Sequence, residues 1–383
     1  MNIPAKLAKN KKRRILVLSA GGMQAGIQAI YVNTNYGQWE ILSHAYLPYP
    51  QRVADLIEKA SSNKETLSSG ELGWLDYKVS MLFLDGYKAV TAQLPKSLKT
   101  PHCIALNRLT VWKGQTGENL QQAVWDLNFG DAQFLASSVD IPVITDFQRR
   151  HIFSGGAGML PAFPGNFSIA GHWTRIVVFI NIGIISRLTI IDKMTSSVLV
   201  DSDTCPGTSL INKCARASSC PGDIDRDGSF AAQGKVNSEC LDKLATSEWF
   251  RKDGPRQASP SAFDNLLNEA CCIELSPVDR VATVTALTAR TIYEFYRREY
   301  AGEEPEVILI SGGGAKNQTL MEFLKTYFDT LPVKNIEEYG IPAGMRIPLA
   351  VGLTLDSYLS GEHVPWETGN NPKIGPLGNW VLP

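Results

Sequence analysis

The chain has 383 residues, of which 44% are hydrophobic and 20% are charged, a composition typical of folded globular proteins and not of disordered ones. Its 37 Lys and Arg residues nearly balance its 38 Asp and Glu residues, which leaves a formal charge of −1. Without an overall positive field, nucleic acid and anionic membranes are not expected as partners. The length suits two domains or one large one.

The first part of the chain predicts three strands followed by helices. Residues 14–48 contain two apolar, β-branched segments on either side of the glycine-rich AGGMQAG, and a third such segment follows. The basic run before them is predicted to be a solvated tail. Helices are predicted at 50–60 and at 69–92, the second with Ser69 as its N-cap. Strands are predicted at 103–112 and 141–147, with a helix at 131–139 between them.

The second part repeats this opening pattern. Residues 175–192 predict two strands joined by a turn at 181–183, and 198–204 adds a third, at an offset of roughly 160 residues from the first unit. Such a repeat indicates two similar domains facing a cleft, 1–140 with 345–383 and 141–344, although two unrelated β meanders would look alike. A strand at 306–311 leads into a glycine turn. Helices are predicted at 279–300, 320–328 and 345–358.

Three segments carry residues suited to binding or catalysis. In SGGGAKN (311–317), glycines between a strand and a helix let the backbone approach a nucleotide, although neither a GxGxxG nor a P-loop pattern is present and a tight turn is the alternative. In DSDTCPGTSL (201–210), an aspartate at a strand end suits a general base, with an Asx turn as the alternative. The turns at 20–22 and 181–183 occupy equivalent places, where a pair of hairpins can clamp a phosphate chain.

The seven cysteines and five histidines do not form a metal-binding pattern. The cysteine number is odd and no CxxC pair occurs, which predicts free thiols in a reducing compartment and therefore a cytoplasmic location. No HExxH is present, and the acidic turn at 225–228 lacks the rest of a calcium loop. No metal site is predicted.

Six motifs, taken together, resemble those of the anhydro-N-acetylmuramic acid kinase family, which includes levoglucosan kinase. ITDFQRRHIFSGGAG (144–158) is similar to GDFRxxDxAxGGQGAP, NIGIISRLT (181–189) to NIGGIANVT, and DTCPGTSLI (203–211) to DTGPGNxLI. DRDGSFAAQGKV (225–236) is similar to DxDGxxAxxGxV, VATVTALTARTI (281–292) to ATLTxxTAxxI, and SGGGAKN to CGGGAxN.

The resemblance implies an α/β fold of two actin-like (hexokinase-type) domains, with ATP, Mg and a small-molecule ligand in the interdomain cleft. The family hydrolyses a 1,6-anhydro bond and phosphorylates the sugar, and its members are commonly dimers. The implied catalytic base is Asp203, with His151 at the place of a second acid. The implied cofactor-binding residues are Gly21, Gly22, Asn181, Gly183, Thr204, Gly207, Gly312, Gly313, Gly314 and Ala315. The implied substrate-binding residues are Asn107, Thr110 and Arg149.

The departures from the family motifs lie at the positions that carry chemistry. The first phosphate loop, SGTSxDGxD in the family, reads AGGMQAGIQ (20–28), and the substrate strand SHGQT reads LNRLT (106–110). NIGG becomes NIGI with Ile184, TGRE becomes SPS (259–261), and the glutamate linked to the metal falls at Ile347. Fewer polar groups for phosphate and metal predict weakened handling of Mg-ATP.

Three functions remain open from the sequence. The first is a kinase acting on an altered sugar, with impaired activity. The second is a pseudokinase that binds a small molecule or a partner. The third is a repurposed enzyme that uses Asp203, with His151, without ATP.

Overall fold

The computed structural model describes residues 5–21, 26–35, 37–62, 66–115, 123–154, 158–218, 220, 224–254, 256, 258, 260–362 and 377–383. The chain divides into two compact units, Met1–Ile169 with Ile347–Pro383, and Ala170–Arg346.

Unit 1 is an α/β unit built on one six-stranded sheet. Its helices are α1 (Ala5–Lys9), α2 (Gln51–Ser62), α3 (Ser69–Thr91), α4 (Ala132–Val139), α5 (Phe147–Phe153), α6 (Phe163–Ile169) and α13 (Arg346–Leu359), the last of which begins at the final residue of unit 2. Its strands are β1 (Lys12–Ala20), β2 (Gly26–Asn35), β3 (Gln38–Pro48), β4 (Cys103–Asn107), β7 (Val143–Thr145) and β13 (Asn379–Val381), with a separate hairpin of β5 (Leu109–Gln115) and β6 (Ala123–Phe129). The sheet order is β13-β7-β4-β1-β2-β3, with β1, β2 and β3 antiparallel and β1, β4 and β7 parallel.

Unit 2 repeats that topology. Its strands are β8 (Ile176–Ile182), β9 (Ser186–Asp192), β10 (Ser197–Cys205), β11 (Val307–Ser311) and β12 (Val333–Asn335), and its helices are α7 (Ser209–Ala217), α8 (Ser238–Ala245), α9 (Glu248–Arg251), α10 (Ala270–Ile273), α11 (Pro277–Glu299) and α12 (Gln318–Phe328). The order is β10-β9-β8-β11-β12, with three antiparallel strands followed by two parallel ones. The same strand order in both units confirms the predicted duplication and the two-domain actin-like α/β fold.

Three details differ from the sequence expectation. Residues 141–169 lie in unit 1 and not in the second domain, because β7 pairs with β4 and β13. Helix α3 is capped by Ser68, whose hydroxyl accepts a hydrogen bond from the Glu71 amide, while Ser69 is the first helical residue. The strand predicted at 103–112 is divided into β4 and β5.

None of the helices within the described ranges is long and apolar enough to cross a membrane.

A buried ion pair connects helix α13 of unit 1 to strand β1 in the middle of the sheet. Arg13 on β1 is 1% exposed, and its Nη1 donates to Oδ1 of Asp356 on α13 at 2.7 Å. The same oxygen accepts from the Thr34 hydroxyl at 2.7 Å, and the guanidinium also donates to the Leu7 carbonyl. Loss of one partner would leave a buried carboxylate without its countercharge.

Arg13→Met should therefore lower the free energy of unfolding by about 3–5 kcal/mol, because Asp356 stays buried and uncompensated. Urea denaturation measures this loss. The control is Arg14→Met on the same strand, where a half-exposed guanidinium contacts the Thr100 carbonyl, and its cost should be about 0.5 kcal/mol or less. Equal losses in the two variants would contradict the role given to the pair.

Two glycines fix the turns at the ends of the unit 2 strands. Gly312 follows β11 with φ +87°, and a Cβ there would lie 2.5 Å from the Ile182 carbonyl oxygen. Gly207 follows β10 with φ +55°, and its Cβ would lie 2.3 Å from the Gly183 oxygen. Both positions combine a left-handed backbone with a close approach to the β8–β9 turn, so neither accommodates a side chain.

Gly312→Ala should destabilise the protein by about 2–4 kcal/mol, since it adds left-handed strain to a backbone clash. The adjacent Gly313 is the matched control, because an added Cβ there meets no described atom within 4 Å. Gly313→Ala should stay within about 0.5 kcal/mol of the unchanged protein. Thermal unfolding of both variants checks the difference, and a Gly313→Ala loss as large as that of Gly312→Ala would refute it.

Candidate functional site

Three loops of unit 2 meet at the β8–β9 turn and bring most of the expected cofactor-binding residues together. The Gly183 carbonyl accepts hydrogen bonds from the Thr208 amide at 2.8 Å and the Thr208 hydroxyl at 3.1 Å. On the other side, Gly312 packs against the Ile182 carbonyl, and the Gly314 Cα faces the Ile182 side chain. The loops at 181–185, 204–209 and 311–315 thus form one continuous surface.

Not every expected residue presents its side chain on this surface. Thr204 is fully buried, and its hydroxyl donates to the Ser186 carbonyl at 3.2 Å. Ala315 is 3% exposed, and its carbonyl accepts from the Asn335 side chain at 3.0 Å. Gly313 stands in open space among the described residues, so its backbone is the part of this loop that a ligand can approach most closely.

Asn181 at the end of β8 belongs to a buried polar chain. Its Oδ1 accepts from the Ser311 hydroxyl at 3.2 Å, and Ser311 Oγ accepts in turn from Nε of Arg346 at 2.9 Å. Arg346 is 3% exposed and its guanidinium lies 5.3 Å from the centre of the Phe179 ring. Burial lowers the pKa of Arg346 to about 10. The negative charge of Asp201 acts against this lowering, and the positive charge of Arg187 adds to it.

Asp203 is held by an arginine that the sequence analysis did not single out. Arg187 on β9 donates to Oδ1 of Asp203 at 2.9 Å and makes a bidentate pair with Asp201, at 2.9 Å from Nε to Oδ1 and 2.8 Å from Nη2 to Oδ2. Burial alone would lower the pKa of Arg187, but the carboxylates of Asp201 and Asp203 outweigh burial and raise it. The signal was present in the sequence, since the family motif NIGGIANVT has asparagine where this chain has Arg187.

The second carboxylate oxygen of Asp203 is also engaged. Its Oδ2 accepts from the Ala258 amide at 2.9 Å, and its own amide donates to the Arg256 carbonyl at 3.1 Å. The Arg256 guanidinium lies over the Trp249 ring at 4.2 Å, while burial and Arg298 lower its pKa to about 10. Asp203 is therefore bound both by β9 and by the segment that contains residues 256 and 258.

In unit 1, the expected first phosphate loop is described only in part. Gly21 donates its amide to the Gly26 carbonyl at 2.9 Å and accepts from the Tyr49 hydroxyl at 3.0 Å. Gly22 lies outside the described residues. Asn107, at the end of β4, is 8% exposed and donates to the Ser19 hydroxyl at 2.9 Å.

Thr110 and Arg149 lie in one polar group of unit 1. The Thr110 hydroxyl is 2.6 Å from side-chain amide oxygens of both Asn128 and Gln148. Arg149 Nε donates to Oδ1 of Asp126 at 2.9 Å. Thr110 and Arg149 therefore both contact strand β6. Their hydroxyl and guanidinium groups, with the neighbouring amides, suit a carbohydrate or another polyhydroxylated ligand.

His151 is 1% exposed on α5, and its Nδ1 accepts from the Met159 amide at 2.8 Å. The acceptor bond places the ring proton of the neutral form on Nε2. His151 belongs to unit 1 and Asp203 to unit 2. A catalytic role for His151 stays a prediction.

Asp146 is a second residue that the sequence analysis passed over. It precedes α5 with φ +61°, a left-handed conformation that non-glycine residues adopt at an energetic cost. Its carboxylate pairs with Arg108 at 3.2 Å and accepts from the Asn379 side chain at 3.3 Å. Backbone strain of this kind often marks binding sites, and Asp146 falls on the aspartate of the motif GDF.

The donor set fits a nucleotide better than a divalent metal. The three loops of unit 2 offer glycine backbone that a nucleotide can approach. No three His, Cys, Asp or Glu side chains lie together as metal ligands within the described part of the chain. Asp201 and Asp203, the carboxylates beside the loops, are already bound to Arg187.

Comparisons with known proteins agree with the motif resemblance. A family model described as Anhydro-N-acetylmuramic acid kinase matches residues 13–363. Among curated relatives of that name, the protein of Aliivibrio fischeri is 28% identical over 363 residues, covering 93% of this chain and 94% of the relative. The Xylella fastidiosa protein is 29% identical, with 85% and 84% covered, and the Salinibacter ruber protein is 25% identical, with 98% of both covered.

Solved structures show only distant likeness. The activator of the 2-hydroxyisocaproyl-CoA dehydratase from Clostridium difficile aligns with TM-score 0.45 and 11% identity, covering 91% of this chain and 96% of that one. A ROK family glucokinase from Streptomyces griseus aligns with TM-score 0.39 and 10% identity, covering 89% and 98%. The family model, by contrast, spans most of the sequence, and the chain belongs to the anhydro-N-acetylmuramic acid kinase family.

Proposed function

We propose that this protein is a divergent carbohydrate kinase in which the ATP-dependent hydrolysis and phosphorylation of a 1,6-anhydro sugar is impaired. The observation that carries the proposal is the state of Asp203, whose two carboxylate oxygens are taken by Arg187 and by the Ala258 amide, each at 2.9 Å. Family membership supports the reaction class, and the contacts of Asp203 support the impairment.

A general base must accept a proton from the attacking hydroxyl or water. Arg187 and the Ala258 amide each occupy one carboxylate oxygen of Asp203, so an attacking hydroxyl or water must reach the lone pairs that remain. General-base catalysis contributes about 10²–10⁴-fold to a rate. A base restrained by an ion pair forfeits much of that factor.

The backbone of residues 181–183 and 312–315 would hold ATP, which supplies the transferred phosphoryl group. Asp201 and Asp203 do not fit as ligands of Mg, because both carboxylates are already paired with Arg187, at 2.8 and 2.9 Å. In unit 1, Thr110 and Arg149 would orient the sugar hydroxyls, with Asn128 and Asp126 fixing their positions.

A pseudokinase is the second candidate, favoured by Ile184. This half-buried side chain occupies the loop where the family motif has glycine, and it adds bulk where backbone would approach a phosphate group. In a pseudokinase, the three loops of unit 2 would bind a ligand without any phosphoryl transfer.

Arg187→Asn, which restores the residue of the family motif, should raise the rate of sugar phosphorylation at least about tenfold, because Asp203 is freed to accept a proton. Turnover is measured with 1,6-anhydro-N-acetylmuramic acid and with levoglucosan in the presence of Mg-ATP. Asp203→Asn should abolish turnover in both the original and the Arg187→Asn background.

The matched control is Arg290→Asn. Arg290 also bridges two carboxylates of unit 2, those of Asp242 and Glu294. It lies on α11, and neither of these partners belongs to the three loops. Its replacement should leave the rate unchanged. If Arg187→Asn keeps its melting temperature but shows no higher rate of sugar phosphorylation, the proposal that Arg187 restrains Asp203 is refuted. If no variant turns over substrate, the pseudokinase is favoured.

ATP should raise the melting temperature by less than about 2 °C at millimolar concentration, since few side chains remain to hold its phosphates. The shift should be the same in EDTA as in magnesium, because the carboxylates near the loops are paired with Arg187. Gly313→Val, which projects into open space, should remove the shift without loss of stability. A large shift that requires magnesium would contradict this assignment.

A further inference from the structure

Four cysteines of unit 2 form two thiol pairs around the short helix α10. Cys271 Sγ lies 2.7 Å from Sγ of Cys240 on α8. The next residue, Cys272, accepts a hydrogen bond from Cys214 on α7. The four thiols are not part of any metal-binding group of three or more ligands in the described residues, and no disulfide bond joins any of them.

The two pairs differ in access to solvent. Cys271 is half-buried, whereas Cys240, Cys214 and Cys272 are each 1% exposed or less. A salt bridge of 3.0 Å between Lys243 on α8 and Glu269, the residue before α10, lies beside the contact between Cys240 and Cys271. An accessible thiol beside a buried partner is the arrangement that a dithiol needs to react with a dissolved oxidant.

The chain between these thiols includes the segment that binds Asp203. The Ala258 amide donates to Asp203 Oδ2, the Arg256 carbonyl accepts from the Asp203 amide, and the Arg256 amide donates to the Ser202 hydroxyl at 2.9 Å. A covalent bond from Cys240 to Cys271 would close a loop of about 30 residues around this segment and restrict its release from Asp203.

We infer that Cys240 and Cys271 form a redox-responsive dithiol, oxidised to a disulfide by hydrogen peroxide, which restricts the release of Arg256 and Ala258 from Asp203. The Cys271 thiolate attacks one peroxide oxygen, the O–O bond breaks, and a sulfenic acid and water result. The Cys240 sulfur then attacks the sulfenyl sulfur, the S–O bond breaks, and the disulfide and a second water form. Two thiols lose two electrons and two protons, and one peroxide becomes two waters.

Electrostatics supports this division of roles. Burial, together with the adjacent Cys271, raises the pKa of Cys240 to about 12, so Cys240 is a poor first nucleophile. The hydrogen bond to Cys272, together with burial, likewise raises the pKa of Cys214. The hydrogen bond from Cys214 lowers the pKa of Cys272 to about 7, but Cys272 is 0% exposed and a dissolved oxidant does not reach it. Access to solvent therefore decides that reaction begins at Cys271, and the Cys240 sulfur that touches it completes the reaction.

The test uses the full-length protein, treated with a small molar excess of hydrogen peroxide and digested without reductant. Mass spectrometry should find a Cys240–Cys271 link. The melting temperature should rise by roughly 5–10 °C, because the cross-link restricts the unfolded chain, and dithiothreitol should reverse the rise. Hydrogen exchange at the Ala258 amide should slow several-fold in the oxidised protein.

Variants separate this pair from its neighbour. Cys271→Ser should lose the link and the temperature rise, while Cys272→Ser, one residue away, should keep both. Three results would overturn the proposed dithiol. The first is a rise in melting temperature that survives in Cys271→Ser. The others are a Cys214–Cys272 link with Cys240 and Cys271 still free, and oxidation of Cys271 beyond the sulfenic acid without a link. A link that forms without slowing exchange at Ala258 would overturn its effect on Asp203.

Discussion

The β9–β10 strand pair of unit 2 depends on one guanidinium, that of Arg187, which bonds to the carboxylates of both Asp201 and Asp203. Asp201 and Asp203 are two residues apart on β10, so their side chains leave the same face of the sheet and would repel each other. Register places Arg187 directly opposite Asp203 and Thr189 opposite Asp201. Arg187 is thereby fixed between both acids, and the Thr189 hydroxyl adds a bond of 2.8 Å to Asp201. The same arrangement that stabilises the strand pair keeps the carboxylate of Asp203 bonded to Arg187.

The sequence predicts those parts of the fold that depend on local pattern. Apolar, β-branched runs such as 175–192 specify strands, and the glycines at 312–314 specify a strand-to-helix turn, because each signal lies within a few residues. The repeat of three strands could also be recognised, and the strand order of both units confirms it. The boundary of unit 1 could not, because β7 has only three residues and its place depends on pairing with β4 and with β13, more than 200 residues away.

The residues of the candidate site also divide into those that the local sequence predicts and those that only the folded structure reveals. Gly183, Gly207 and Gly312 were predictable from motif and backbone geometry, and they do lie together around the β8–β9 turn. Arg187 was not singled out: the motif comparison shows arginine in place of asparagine, but its contacts with Asp201 and Asp203 follow only from the β9–β10 register. Asp146 was passed over for a related reason: its positive φ is a property of the folded backbone, and the letters TDF do not reveal it.

Whether a position departs from the family motifs depends on whether the fold constrains its backbone or leaves its side chain free to vary. Gly207 and Gly312 are constrained by carbonyl oxygens less than 3 Å from any added Cβ, so a change there costs stability whatever ligand is bound. Positions such as 184 and 187 contribute side chains that the fold does not require to be small or neutral, and these are the positions that changed. A binding surface can therefore keep its backbone shape after its chemistry has altered. In this chain two independent elements contact the carboxylate of Asp203: β9 through Arg187, and the segment that contains residues 256 and 258 through the Ala258 amide.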